Sequence, residues 1–176
     1  MKRSLICIFL SFTVLLALGA DLSPVNLRAE YKHNPYLDDS SPRLSWELVS
    51  RKYNQYQSAY QIIVASSAEK ITKNVGDLWD TGKVNSSETN QIVYQGTPLS
   101  SRQKVWWKVR VWNTNEKVGR WSEANFWEMG LLQRNDWEAQ WIGYDLNKLA
   151  KRGKYHLPPA PYLRKEVKVS KKVRSA

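Results

Sequence analysis

Acid–base or metal chemistry needs carboxylates or imidazoles that converge on one point, and this sequence offers few candidates. Asp38 and Asp39 are adjacent. Neighbours on an extended chain point to opposite sides, so they cannot flank one bond as a pair. Placed between Asn34-Pro35 and Pro42, they decorate a turn. His33 and His156 lie far apart, and neither stands in metal-ligand spacing. No serine nucleophile elbow, glycine-rich phosphate loop or helical His-Glu motif occurs, so neither a cofactor nor a metal is expected. What the chain has in excess is aromatic surface, with nine Trp and nine Tyr. Indoles that are not needed in a core can stack on sugars or pack against another protein surface.

The elements that position these rings are strands. Val25, Leu27, Ala29 and Tyr31 alternate with polar residues, the period-two pattern of a strand with one buried face. Leu44, Trp46 and Leu48 share a face in the same way, as do Tyr60, Ile62 and Val64. Ser66 with Glu69 three residues on predicts a capping box and a short helix that ends near Asn74 to Gly76. Gln91 to Tyr94, Val105 to Trp112 and Ala124 to Met129 read as further strands. Short strands between Asn, Gly, Pro and Ser turns, with one brief helix, predict an all-β, antiparallel sandwich. On the strand from Val105 to Trp112, Val105, Trp107, Val109 and Val111 face one side, leaving Trp106, Lys108, Arg110 and Trp112 on the other. Trp106 and Trp112 are therefore expected to point away from the core, with Trp127, Trp137 and Trp141 joining the same contact. Contact with a neighbouring domain is the favoured reading of that face, ahead of sugar stacking and of simple surface exposure. The basic residues between the rings are expected to snorkel over them.

Outside the sandwich the composition changes. Lys2 and Arg3 precede an apolar run from Leu5 to Leu18 that closes on Gly19 and Ala20, which predicts a secretory signal peptide over 1–20. The lone cysteine, Cys7, falls inside it, so the exported domain must fold without disulfides. The formal net charge of +11 suggests nucleic acid until it is located. Residues 147–176 hold ten Lys or Arg against Glu166, and residues 21–145 carry equal numbers of each sign. A basic tail on a neutral body argues against a nucleic-acid surface. The domain limits read as a sandwich over 21–143, a proline-bearing linker over 144–161, and the opening strand of a second domain over 162–176. No membrane association is expected after the leader is removed.

Trp46, Tyr60 and the run Trp107-Lys108-Val109-Arg110-Val111-Trp112-Asn113, followed by Gly119 and Trp121-Ser122, resemble the immunoglobulin-like fibronectin type III fold from Pro24 to Met129. One departure is that Val105 stands six residues after Leu99, where such domains place the tyrosine of the corner. More specific are Pro42-Arg43-Leu44-Ser45-Trp46, Tyr60-Gln61-Ile62, the run from Asp77 to Val84, Met129-Gly130-Leu131-Leu132, Asp136-Trp137 and Ala139-Gln140-Trp141-Ile142-Gly143. In this order they resemble the N-terminal domain of bacterial α-L-rhamnosidases, and Pro161 to Glu166 is similar to the start of the next β-sandwich in that family.

The resemblance implies a parent enzyme that hydrolyses terminal α-L-rhamnose of plant or bacterial glycans with inversion. Its acid and base belong to a helical barrel further along. Inverting chemistry holds two carboxyls roughly 6.5–9.5 Å apart around a sugar pocket, and none of those groups maps onto this chain. The expectation is a non-catalytic accessory domain, cut off within the second domain, that works in the periplasm or outside the cell. Its partners would be the later domains of the parent, and rhamnose-containing glycans if the aromatic face binds sugar. The alternative is a free-standing secreted module that binds carbohydrate or protein.

Overall fold

A computed structural model describes residues 22–143, 162–166 and 168–172. The predicted leader and the linker beyond Gly143 lie outside the described residues. The chain divides into two units, Met1–Trp137 and Glu138–Ala176. The described residues of the second unit, Glu138 to Gly143 and stretches of 162–172, form no regular element.

The first unit is an all-β sandwich. Its elements are β1 (Ser23–Ala29), β2 (Tyr36–Leu37), β3 (Arg43–Val49), β4 (Gln57–Ala65), α1 (Ala68–Thr72), β5 (Trp79–Asp80), β6 (Ile92–Val93), β7 (Lys104–Asn113) and β8 (Asn125–Met129), followed by a 3-10 turn at Arg134–Asp136. One sheet runs β1-β3-β6 and the other β2-β8-β7-β4-β5. All pairings are antiparallel except β2 with β8, which is parallel.

Alternation builds the core where it is unbroken. Val105, Trp107, Val109 and Val111 of β7 are fully buried, facing Leu44 and Trp46 of β3, with Tyr60, Ile62 and Val64 of β4 in the same cluster. On β1 the predicted phase changes midway. Val25 pairs with Glu47 and Arg28 with Ser45, so two residues oppose one. Asn26 takes up the extra residue with φ +52°, a β-bulge that flips the face of everything beyond it. Leu22 and Pro24 therefore point inward before the bulge and Leu27 and Ala29 after it, while Val25 is half-buried. Tyr31 also departs from the predicted inward face. It lies in a tight turn with φ +60° and is 49% exposed.

Helix α1 is capped by Ser67, whose hydroxyl accepts from the Lys70 N–H at 3.3 Å. Ser66, the expected cap, is instead captured by Asp77 through its backbone N–H and its hydroxyl, at 3.0 and 2.7 Å. The helix lays Ile71 against Ile63 and Ala65 on the outer face of β4, with Trp106 and Trp121 alongside. Both faces of β4 are thus covered. At the corner before β7, Leu99 and Val105 are both buried, and the tyrosine that pins the segment is Tyr94. Its hydroxyl donates to the Thr97 carbonyl at 2.7 Å, and burial pushes the phenol up to about 12.

Candidate contact face

The outer side of β7 carries a ladder of cations and rings. Lys83 Nζ lies 5.4 Å from the Trp112 ring centre, and the Arg110 guanidinium lies 5.2 Å from Trp112 and 4.7 Å from Trp121. Lys108 Nζ continues the run at 5.4 Å from Trp121. Lys104 makes a second group, 3.7 Å from Phe126 and 5.6 Å from Trp106. A ring's negative face attracts such cations, by about 0.5–1 kcal/mol each where exposed and more where desolvated.

Local structure fixes the rungs. Arg110 Nε donates to Gln61 Oε1 at 2.8 Å, and the Gln61 amide donates to Asp80 at 2.6 Å, so the guanidinium is held in place beside the two rings. Lys83 pairs with Glu116. Lys108 is 7% exposed; burial lowers its pKa, and the nearby Glu123 opposes that shift. Trp121 comes from no named strand. Its segment runs along β7, with the Gly119 N–H donating to the Val111 carbonyl at 2.8 Å and the Ser122 N–H to the Val109 carbonyl at 2.8 Å. A side chain at Gly119 would place a Cβ 2.6 Å from the Leu22 carbonyl oxygen, so only glycine lets the segment approach this closely. Sequence reasoning did not place Trp121 in the face, because period-two patterning sees only residues inside strands; the Gly119-x-Trp121-Ser122 spacing next to β7 is the one signal that could have found it.

Trp106 and Trp112 do project away from the core, but both are half-buried and carry cations on their rings. Trp127 is a correction. It pairs with Val105 across β7 and β8, shares that residue's inward side, and is fully buried with its ring 6.4 Å from Trp107 and 5.7 Å from Tyr94. It belongs to the core, not to any outward contact. Trp137 is 59% exposed and follows an anchored turn. The Asp136 carboxylate accepts from the Gln133 N–H at 2.9 Å and from the Ser101 hydroxyl, which itself accepts from the Leu132 N–H at 2.8 Å. Trp141, in the second unit, is 97% exposed.

Four carboxylates, Glu30, Asp77, Glu116 and Asp136, are tied down as anions. The Arg43 guanidinium that hydrogen-bonds Glu30 lowers its pKa, Lys83 does the same for Glu116, and the Ser101 hydroxyl for Asp136. Burial raises Asp77, but hydrogen bonds from Lys70 and Ser66 outweigh it and bring the carboxyl to about 2. A general acid working near neutral pH needs the opposite shift. Asp39 accepts from the Ser41 N–H at 2.8 Å, completing the predicted turn, and His33 hydrogen-bonds Asn26 at 2.6 Å. His156 lies outside the described residues. Among the described residues no three His, Cys, Asp or Glu side chains gather as a metal site, and no helix is long and apolar enough to cross a membrane.

Residues 24–133 match the family of Rha78A-like N-terminal immunoglobulin domains, a span that takes in every strand but the first residue of β1. The chain belongs to that family. The chain is similar to an alpha-L-rhamnosidase of Formosa agariphila, with 43% identity over 142 residues that cover 78% of this chain and 15% of the relative. In structure it is similar to the alpha-L-rhamnosidase of Dictyoglumus thermophilum, with TM-score 0.68, 42% identity, and coverage of 70% of this chain and 14% of that one. It is likewise similar to the Streptomyces avermitilis alpha-L-rhamnosidase complexed with L-rhamnose, with TM-score 0.67, 38% identity, and coverage of 72% and 12%. The chain thus spans about one seventh of the length of the relatives it matches.

Proposed function

We propose that this chain serves as the N-terminal, non-catalytic accessory domain of an exported α-L-rhamnosidase-type glycoside hydrolase acting on terminal α-L-rhamnose. The observation that carries this reading is the likeness to several rhamnosidases through one and the same immunoglobulin domain, at 11–15% of their length. Glu30, Asp77, Glu116 and Asp136, each held as an anion, fit this reading, because they serve ion pairs and turns rather than proton donation.

The domain's work is then mechanical. The anchored turn at Arg134–Asp136 presents Trp137, and Trp141 follows it in sequence. These two indoles are exposed where the other seven are buried or half-buried, and they suit packing against a following domain of the same enzyme. Residues 1–20 would direct export, and 144–161 would lead into the next β-sandwich.

Two measurements test the reading. The purified chain incubated with a chromogenic α-L-rhamnoside should release no chromophore above buffer. The DNA beyond the codon for Ala176 should continue, in frame or after a shift of frame, into a long helical domain with paired acids. Rhamnoside turnover by the chain alone would refute the proposal.

A further inference from the structure

We propose that the open seam of the sandwich between β5 and β6 binds a neutral pyranose unit. The inference does not depend on the role in a larger hydrolase. At this margin each sheet ends in a strand of two residues, β5 in one and β6 in the other. Tyr60, Trp79, Asp80 and Gln95 line a cleft of about 550 Å³ there, flanked by the aliphatic side chains of Val84 and Ile92. That volume falls within the roughly 300–1,000 Å³ of small-ligand sites.

The polar groups of the lining are only partly used by the fold. Asp80 Oδ1 accepts from the Gln61 amide at 2.6 Å and from the Gly82 N–H at 2.9 Å, while Oδ2 has no partner among the described residues. The Tyr60 hydroxyl, the Trp79 indole N–H and the Gln95 amide likewise have no hydrogen bond to a described residue. A carboxylate oxygen that accepts from hydroxyls, two neutral donors and an amide that does both, beside aromatic and aliphatic walls, match a ring with hydroxyls on its edge and C–H groups on its faces. An anionic ligand would meet the Asp80 carboxylate. An apolar ligand would strip water from four polar groups and give nothing in return. The cleft is shallow and more open than enclosed, which limits a single sugar ring to dissociation constants on the order of millimolar.

The test uses the full chain, ¹⁵N-labelled, titrated with methyl α-L-rhamnopyranoside, methyl α-D-glucopyranoside and D-galacturonate. At least one neutral glycoside should give saturable shifts at the Trp79 indole N–H and in residues 80–84 and 91–95, with galacturonate at least about 10-fold weaker. Tyr60→Phe and Gln95→Ala each remove a group that bonds nothing described in the protein, so both should fold normally and weaken binding roughly 3- to 10-fold, the effect of one neutral hydrogen bond. The proposal fails if shifts do not saturate, if they map elsewhere, if galacturonate binds as well as the neutral sugars, or if both variants bind as the parent does.

Discussion

Gln57 is buried at 4% exposure, and its side chain joins three groups that otherwise have no reason to meet. Its carbonyl oxygen accepts from Trp46 Nε1 at 3.1 Å, and its amide donates to the carbonyls of Ser86 and Glu88 at 3.0 and 2.8 Å. Gln57→Leu keeps the volume and removes all three bonds. Ser86 is half-buried and Glu88 exposed, so water re-pairs their carbonyls at little cost. Trp46 is 3% exposed, and its N–H is left in the core with nothing to bond. That donor alone costs about 1–3 kcal/mol, and the lost bonds add about 1 kcal/mol, giving a loss of about 2–4 kcal/mol. Trp46→Phe alone also destabilises, since it strands the Gln57 oxygen and shrinks the ring. In the double variant no polar atom is stranded at this point, so the two costs should fall short of their sum by about 1–2 kcal/mol. Urea unfolding followed by far-ultraviolet circular dichroism measures all four corners of the cycle. Additivity within about 0.5 kcal/mol would show that the Trp46–Gln57 bond does not couple the two sheets' side chains as argued.

Trp127 offers the contrasting case, because its indole N–H is already buried with no hydrogen-bond partner among the described residues. Trp127→Phe should therefore cost less than Trp46→Phe in the same urea experiment, losing ring contacts but no hydrogen bond. Gly96→Ala would set a Cβ 2.5 Å from the Leu78 carbonyl oxygen and 2.6 Å from the Trp79 Cβ, so it should lower the thermal midpoint by several degrees or more. The folded pKa of Asp77 is depressed from 3.8 to about 2, so its contribution is full above the unfolded value and is lost as pH falls from about 4 to about 2. Solvent screening at the half-exposed Lys70 leaves about 1 kcal/mol of this, and Asp77→Asn should flatten the acid limb of a stability–pH profile by that amount. Ser67→Ala should cost about 1 kcal/mol through the lost helix cap, read as a shift in urea midpoint.

Much of the sandwich is legible from alternation. The inward set on β7 and the Leu44–Trp46 pair on β3 read directly, because nothing interrupts their period. Phase fails where a single residue changes it. The bulge at Asn26 depends on one backbone angle and on side-chain bonds to Glu47 and His33, none of which leaves a mark in hydropathy. The helix cap falls to Ser67 because Asp77, eleven residues after Ser66, draws that serine away. Trp127 was decidable: it alternates with Phe126 and Glu128 and shares its phase with Met129, which marks it as inward on β8. The short strands β2 and β5 have two residues each, too few for a period, and exist only because longer strands offer them an edge.

The ladder on β7 bears on which surface the domain can lend to a partner. Lys108 and Arg110 have already left much of their water behind to lie over Trp112 and Trp121. A protein docked flat on that face would remove the rest, and a cation with no carboxylate opposite is costly to bury. The same cations cover apolar ring surface that would otherwise drive association. Both effects disfavour docking there, whatever the count of tryptophans suggests. Trp137 has neither obstacle: no cation lies over its ring among the described residues, and the turn behind it is held by the Asp136 and Ser101 bonds, so little order remains to be gained on contact. Trp137→Ala should thus leave the unfolding free energy of the isolated chain unchanged within about 0.5 kcal/mol, while weakening association of this domain with the β-sandwich proposed to follow it, supplied as a separate polypeptide. Equal weakening by Trp112→Ala in that binding measurement would return the contact to the β7 face and overturn the argument.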